Sequence, residues 1–267
     1  MTTSFTKTLG AAGIALFALT GAALADGYSG SSKDAAAADE GRKFGWSMTL
    51  GGTSDYIFRG LSLNDERPAA QGSIDFTYGI FYAGAWASNV SGNANPVEID
   101  WYAGIKPVLG PVSFDFGVLY YTYPGGKDLA GFSGRHELDY VELKAGASIT
   151  PVTNLAIGVT GYYSPEQQGF GDTYAVEGTA GYTLPAVGIF TPTIGGTFGW
   201  QGSEEDNVFV VDGDSYTYWN VGLALAVEKF TFDFRYWDTD ISKTDAFPGT
   251  YGLSDDRFVF SAKVTLP

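Results

Sequence analysis

The chain has 267 residues, with 30 acidic and 15 basic side chains and a formal net charge of −15. This excess of acid argues against a nucleic-acid partner, because phosphates are bound by clustered Lys and Arg. The chain contains no cysteine, which excludes disulfide frameworks, thiolate nucleophiles and cysteine-based metal sites.

The first 25 residues have the pattern of a secretion signal. Lys7 precedes an apolar stretch from Gly10 to Leu19, and Ala23-Leu24-Ala25 forms a small-residue cleavage site before Asp26. The apolar stretch is shorter than the ~20 residues that a membrane-spanning helix needs, so a permanent anchor is the less favoured interpretation. We therefore predict a signal peptide at residues 1–25 that is cleaved on export.

The next segment, residues 26–43, is rich in Gly, Ser, Ala and Asp and is too polar to bury a core. It predicts a flexible periplasmic segment, with a short Ala-rich helix near Ala35 as the alternative. A regular pattern begins at Phe44 and continues to the end of the chain. We therefore assign residues 44–267 to one domain.

In that domain, runs of alternating apolar and polar residues are separated in turn by a tight connection and a long polar one. Twelve such runs can be counted, of which the eleventh, at residues 230–237, is the clearest. The tight connections include Leu109-Gly110-Pro111 and Glu228-Lys229. Alternation with a period of two gives each strand one apolar and one polar face.

The sixth run indicates which face meets lipid. It alternates Val141 and Leu143 with Glu142 and Lys144. A lysine facing lipid at the bilayer midplane costs roughly 2 to 4 kcal/mol. We therefore expect the apolar face to meet lipid and the charged face to line the interior.

These patterns predict an all-β fold, an up-and-down antiparallel transmembrane β-barrel of about twelve strands. Beyond the signal, no segment is apolar for long enough to span a bilayer as a helix, and only helices and closed barrels satisfy every backbone group in lipid. An even strand number puts both termini beside short periplasmic turns and leaves longer extracellular loops. A soluble β-sandwich also alternates, but the near-bilayer strand lengths and aromatic faces disfavour it.

Aromatic residues near the strand ends predict two interfacial girdles, because Trp and Tyr favour the bilayer surface. Trp46 is expected at the periplasmic rim. The residues expected at the outer rim are Trp200, Trp219, Trp237, Tyr120, Tyr123, Tyr162 and Tyr163.

Four blocks of the chain are similar to a known family. The sequence SDYIFRGLS at Ser54–Ser62, followed by PAAQGSID at Pro68–Asp75, resembles the TorF family of outer-membrane porins. Tyr82–Val90 and Glu98–Trp101 resemble that family's next two blocks. The resemblance covers the mature chain and implies a proteobacterial outer-membrane barrel of porin type, without indicating a substrate.

Charged residues at inward positions are the candidate lining of a pore. They are Asp55, Arg59, Asp75, Asp100, Lys106, Asp115, Glu142, Lys144, Glu177, Asp233, Arg235, Arg257 and Lys263, and Glu98 shares the same face. Rings of charge select ions by sign, so an acidic wall around Asp75 facing a basic wall around Arg235 predicts a modest cation preference. The equally weighted alternative is that these residues form ion pairs that rigidify or plug the barrel.

Two loops invite further hypotheses. The acidic residues of one loop, which are Glu204, Glu205, Asp206, Asp212 and Asp214, are oxygen ligands of the kind that Ca²⁺ uses. No EF-hand spacing is present, so a solvated loop is favoured and neither a metal site nor a cofactor is predicted. The loop from Pro124 to His136 is the candidate for folding inward, although its glycines equally suit a mobile exterior.

We expect an outer-membrane channel for passive diffusion of small hydrophilic solutes or ions, surrounded by outer-membrane lipid and lipopolysaccharide. The first alternative is a structural or adhesive barrel with a closed lumen. A lipid hydrolase that uses His136 with Ser133 and Asp139 is a distant second, because a single His at a strand end is more often interfacial. The solute and the oligomeric state are left open.

Overall fold

The computed structural model describes residues 43–91, 97–124, 138–168, 171–206, 213–247 and 249–267. Twelve antiparallel strands form the wall of a barrel: β1 (Phe44–Thr53), β2 (Ala69–Tyr78), β3 (Phe81–Asn89), β4 (Val97–Ile105), β5 (Val112–Thr122), β6 (Tyr140–Val152), β7 (Leu155–Ser164), β8 (Thr173–Thr183), β9 (Thr191–Ser203), β10 (Ser215–Val227), β11 (Phe230–Thr239) and β12 (Arg257–Leu266). Each strand pairs with its neighbours in sequence, and β1 also pairs with β12, which closes the sheet. The twelve-stranded barrel predicted from the alternation is confirmed.

The predicted faces are also confirmed on the strand that defined them. Val141 and Leu143 of β6 are exposed on the outside of the barrel, whereas Glu142 and Lys144 are buried inside. The same alternation runs round the ring, so large apolar side chains cover the outer surface. In lipid, this arrangement keeps charged groups away from hydrocarbon.

The connections alternate in length. Connections of two to seven residues follow every even-numbered strand except the last, and connections of seven to 17 residues follow the odd-numbered ones, so both chain ends lie on the side of the shorter connections. We call this the turn side and the opposite rim the loop side. The turn between β6 and β7 places Asn154 at a φ of 69°, a left-handed conformation that Asn tolerates.

The predicted signal peptide at residues 1–25 and all but Lys43 of the segment 26–43 lie outside the described residues. Among the residues that are described, no helix is long and apolar enough to cross a membrane.

The girdle prediction is wrong at three positions. Trp46, Trp200 and Tyr120 are exposed on the outer face as expected, but Trp237 is buried inside the barrel. Trp237 lies two positions after Arg235, so the period of two turns both side chains inward. Tyr123 and Tyr162 also face the interior: they are partly buried, Tyr123 packs against the buried aromatic cluster, and Tyr162 contacts a buried guanidinium. Nearness to a strand end does not determine which face a residue occupies.

The connection between β1 and β2, residues 54–68, folds into the loop-side mouth of the barrel. We call this segment the inner loop. It contains a two-residue hairpin, in which Ile57–Phe58 pairs with Leu61–Ser62. Its buried side chains join a cluster supplied mainly by aromatic residues of the wall: Trp86, Tyr102, Tyr121, Tyr140, Tyr216, Tyr218 and Trp237. The loop-side half of the barrel is thus filled with side chains.

The face assignment can be tested with two lysine substitutions. Val221 is exposed on the outside in the middle of β10, so Val221→Lys is expected to destabilise the lipid-embedded protein by about 2 to 4 kcal/mol. Thr179→Lys, which faces the lumen from β8, serves as the control and is expected to cost less. The measurement is reversible urea unfolding in lipid vesicles, and equal losses in the two variants would contradict the assignment.

Candidate functional site

The inner loop is held across the lumen by Arg59. One guanidinium nitrogen, Nη2, donates to Glu142 Oε1 of β6 at 2.8 Å, and Nη1 donates to Gln201 Oε1 of β9 at 2.9 Å. The guanidinium carbon also lies 4.5 Å from the centre of the Tyr162 ring on β7. Because β6 to β9 lie on the far side of the ring from β1 and β2, Arg59 bridges the barrel interior.

Local backbone geometry brings Arg59 to this position. Arg59 has a φ of 47°, a left-handed conformation that costs a non-glycine residue about 1 to 2 kcal/mol. The next residue, Gly60, has a φ of 86°, and a Cβ atom there would lie 2.7 Å from side-chain atoms of both Tyr218 and Thr239. Only glycine fits so close to the wall. The contacts of Arg59 therefore offset a strained turn.

The inner loop is also anchored to the wall at its start and at its turn. Tyr56 donates from its hydroxyl to Glu98 Oε1 of β4 at 2.5 Å. The hydroxyl of Tyr216 on β10 donates to the backbone carbonyl of Arg59 at 3.0 Å. The loop therefore has hydrogen bonds to strands on both sides of the barrel.

Asp55 forms a third anchor, close to the seam between β1 and β12. Its carboxylate accepts hydrogen bonds from Arg257 Nη1 at 2.9 Å and from the Ser62 hydroxyl at 2.8 Å. Burial raises the pKa of the Asp55 carboxyl above its ordinary value, and these two hydrogen bonds oppose the rise.

The sequence therefore misplaced two of its candidate lining residues. Asp55 and Arg59 follow the end of β1 at Thr53, so they project from the inner loop and not from a strand. The loop that was expected to fold inward, Pro124–His136, lies almost entirely outside the described residues. The signal for the inner loop was the apolar content of Ile57, Phe58 and Leu61, which is unusual in a connection exposed to water.

The other predicted lining residues lie at inward positions of the wall. They are Asp75 on β2, Asp100 on β4, Lys106 just after β4, Asp115 on β5, Glu142 and Lys144 on β6, Glu177 on β8, Asp233 and Arg235 on β11, and Arg257 and Lys263 on β12. Opposite charges lie side by side here. Lys144 donates to Asp115 at 2.8 Å from the neighbouring strand, and Arg235 pairs with Asp233 at 3.0 Å on its own strand. This geometry fits the alternative in which the lumen residues form ion pairs more closely than the prediction of an acidic wall facing a basic wall.

Tyrosine hydroxyls donate to the carboxylates of the lumen, a feature that the sequence analysis missed. The pairs are Tyr56–Glu98 (2.5 Å), Tyr102–Asp75 (2.5 Å), Tyr218–Glu177 (2.7 Å), Tyr82–Asp115 (2.8 Å) and Tyr121–Glu142 (3.3 Å). A phenol satisfies a buried carboxylate without adding charge. The sequence did contain a signal for these pairs: each strand tyrosine occupies a position that the alternation assigns to the inward face.

Charge is distributed unevenly along the barrel axis. Towards the loop side, the carboxylates of Asp55, Glu98, Asp100, Glu142 and Glu177 outnumber the guanidiniums of Arg59 and Arg257. In the middle and towards the turn side, Lys106, Lys144, Arg235 and Lys263 outnumber Asp75, Asp115 and Asp233. The two halves of this set therefore have net charges of opposite sign.

One side of the lumen carries small side chains in its turn-side half. On strands β6 to β10, the inward positions on the turn side of Asn220 include Gly146, Ser148, Ala156, Gly158, Thr179, Gly181, Thr193, Gly195, Gly222 and Ala224. We call this surface the small-residue wall. No side chain there is larger than threonine. Gly146, Gly158 and Thr179 are only partly buried, whereas Gly195 is buried and its carbonyl accepts a hydrogen bond from Arg235 Nη1 at 3.4 Å.

The hydrolase hypothesis and part of the acidic loop fall on residues outside the described part of the chain and stay untested. His136, Ser133 and Asp212 lie outside the described residues. Asp139 accepts a hydrogen bond from the backbone N–H of Tyr123 at 2.8 Å. In the described part of the chain, no group of three or more acidic or histidine side chains is arranged to hold a metal ion.

Comparison with known proteins places the fold. Residues 35–266 match the model of a family described as a bacterial protein of unknown function, Gcw_chp. The NanC porin has a TM-score of 0.54 and 10% identity, covering 84% of this chain and 100% of its own. The KdgM porin, solved in complex with disordered oligogalacturonate, has a TM-score of 0.55 and 8% identity, covering 83% of this chain and 99% of its own. The sequence matches no curated protein.

At such low identities these likenesses establish the fold alone, that of an outer-membrane porin barrel. The family that matches is Gcw_chp, so the resemblance to the TorF family stays a prediction.

The Arg59 bridge can be tested by unfolding. Arg59→Met leaves the Glu142 carboxylate buried without its cation and is expected to destabilise the folded barrel by about 3 to 5 kcal/mol. Adding Glu142→Gln removes the stranded charge and is expected to recover part of this loss. Urea unfolding in vesicles measures both free energies. A double variant no more stable than Arg59→Met would contradict the coupling.

Proposed function

We propose that this chain, a member of the Gcw_chp family of bacterial proteins of unknown function, is an outer-membrane channel. Its proposed role is passive diffusion of small hydrophilic solutes or ions. The porin-type barrel supports this class of function. The predicted signal peptide at residues 1–25 supports export, and the apolar outer face suits outer-membrane lipid and lipopolysaccharide.

The observation that carries this proposal is the small-residue wall. Its glycine, alanine, serine and threonine positions bring no bulky side chain into the turn-side half of the lumen, and Ser148 and Gly158 keep solvent exposure there, so we infer an open and polar space. A barrel that served only as a scaffold has no need of such space, because small barrels are otherwise filled by their side chains. Hydroxyl and backbone groups there are suited to contact water and hydrophilic solutes.

The inner loop makes the proposed channel narrow. Arg59 is buried and has partners on β6 and β9, so it occupies the lumen at the loop-side end of any path. A solute would pass beside this bridge or would require the inner loop to move. Conductance should therefore be limited by the inner loop more than by the twelve strands.

The same bridge favours a second candidate, a barrel with a closed lumen that works through its outer loops. Its hydrogen bonds, ion pair and ring contacts fix the inner loop across the mouth. In this case the space on the turn side would be a blind vestibule. Conductance separates the two candidates.

The test is planar-bilayer recording of the refolded mature protein and two arginine variants. Wild type is expected to give small discrete steps. Arg59→Ala removes the bridge and is expected to give larger steps, whereas Arg67→Ala changes an exposed arginine of the same loop and should leave them unchanged. Tyr216→Phe, which removes one hydrogen bond to the inner loop, provides a milder variant if Arg59→Ala does not fold.

Two outcomes decide between the candidates. Shifted mobility on unheated gels shows that the wild-type protein is folded. If that folded protein gives no conductance, the open channel is rejected and the closed barrel is supported. Equal conductance in wild type and a folded Arg59→Ala variant would show that the inner loop does not limit the path.

A further inference from the structure

The connection between β11 and β12 folds back onto the loop-side rim. We call this connection, residues 240–256, the cap loop, and the structure describes all of it but Pro248. Its side chains Ile241 and Ala246 are buried, and they belong to the same hydrophobic cluster as Tyr56 of the inner loop. The cap loop and the inner loop therefore share one core.

The two loops also meet outside this core. Gly252 lies in a 3₁₀ turn of the cap loop, and an added Cβ atom there would lie 3.2 Å from Glu66 Oε1 of the inner loop. A second contact runs through Thr239 at the end of β11. Gly60 of the inner loop packs against Thr239, whose hydroxyl donates to the Ser254 carbonyl of the cap loop at 2.9 Å. Contact is thus made at two separate points of each loop.

One arginine is bonded to both loops. Arg257, the first residue of β12, donates from Nη1 to Asp55 Oδ2 of the inner loop at 2.9 Å. Its Nη2 donates to the Gly252 carbonyl of the cap loop, and its Nε donates to the Asp255 carbonyl at 3.0 Å. The same Nη1 lies 3.7 Å from Glu66 Oε1. All three guanidinium nitrogens are engaged, so one planar group holds acceptors from both loops.

The burial of this guanidinium makes the two sets of contacts depend on each other. The side chains of Arg257 and Asp55 keep only 12% and 6% of their exposure, so water competes little with their ion pair. If the inner loop left, Arg257 would lose its buried counter-charge. If the cap loop left, Arg257 would lose two carbonyl acceptors and the ion pair would be hydrated. Opening of either loop therefore favours opening of the other.

We infer that the inner loop and the cap loop form a two-layer lid over the loop-side mouth, and that Arg257 couples their opening. The cap loop exposes residues 242–245 to solvent, so an event at the surface can release the Arg59 bridge inside the lumen. As a control on transport, the lid rests on the proposed channel. Coupling of the two loops does not require conduction.

The coupling can be measured by thiol labelling, because the chain contains no cysteine. Ala246→Cys places a reporter in the shared core of the folded full-length mature chain in lipid vesicles, where a maleimide reacts only when the cap loop opens. Arg59→Ala breaks the hydrogen bonds of the inner loop to β6 and β9. This change is expected to speed labelling of the reporter about tenfold, because hydrogen bonds to a charged group no longer hold the inner loop.

Two controls separate coupled opening from other effects. Arg67→Ala changes an exposed arginine of the inner loop and should leave the labelling rate unchanged. Ser47→Cys places a second reporter at a buried position of β1 towards the turn side, and it should stay protected when Arg59 is replaced. Equal labelling of the two reporters would mean that the whole barrel unfolds, and it would reject the lid.

The role of Arg257 is tested in the same assay. Arg257→Lys keeps the positive charge but loses the planar fork that reaches both loops. It should itself speed labelling at the Ala246 position, and adding Arg59→Ala should then have little further effect, because the loops no longer open together. No rise in Arg59→Ala, or an undiminished rise in the Arg257→Lys background, would overturn the inference.

The labelling and conductance measurements fail separately. Coupled labelling in a protein that is silent in bilayers would keep the two-layer lid and reject the channel. Larger conductance steps in Arg59→Ala without faster labelling would keep the channel and reject the coupling.

Discussion

Every charged side chain inside this barrel has to find its partners inside the barrel. The outer face is committed to apolar contact, so a carboxylate that points inward is satisfied by a neighbouring strand, by the inner loop or by water. The structure meets this constraint largely with tyrosine: Tyr102 serves Asp75, Tyr218 serves Glu177 and Tyr82 serves Asp115. Phenols are bulky, and those of Tyr121, Tyr140 and Tyr218 help to fill the loop-side half of the lumen. The position of Arg59 follows from the same constraint, because Glu142 is buried and needs a donor.

The strands were predictable from the sequence, whereas the contents of the lumen were not. A period of two is a local property, so Val141 and Lys144 alone indicate which way β6 faces. The partner of Arg59 lies 83 positions away at Glu142, and no local pattern encodes that contact. Trp237 shows a related limit, because its residue type suggested the bilayer interface while its parity turned it inward. At this position the residue type favoured the outer face and the alternation favoured the inner face, and the side chain follows the alternation.

The two halves of the lumen differ in content and in charge. The loop-side half is packed with aromatic rings and has an excess of carboxylate, whereas the turn-side half is bordered by glycine, serine and threonine and has an excess of ammonium and guanidinium among its lining residues. A charged solute that crosses the barrel would therefore meet an attractive field at one end and a repulsive one at the other. Such a field is polar along the axis, unlike the transverse field that the sequence suggested.

The seam between β1 and β12 joins the two most distant parts of the domain. The hydroxyls of Ser261 and Thr53 are hydrogen-bonded across a separation of 208 residues, and Arg257 reaches Asp55 of the inner loop across 202. Contacts of such high contact order contribute only after the rest of the sheet has assembled, since the loop they close is almost the whole domain. Until that step, the nascent sheet exposes two long unpaired edges, which are templates for aggregation. Closure of the barrel and docking of the inner loop thus take place at the same seam, so we expect the two steps to be coupled.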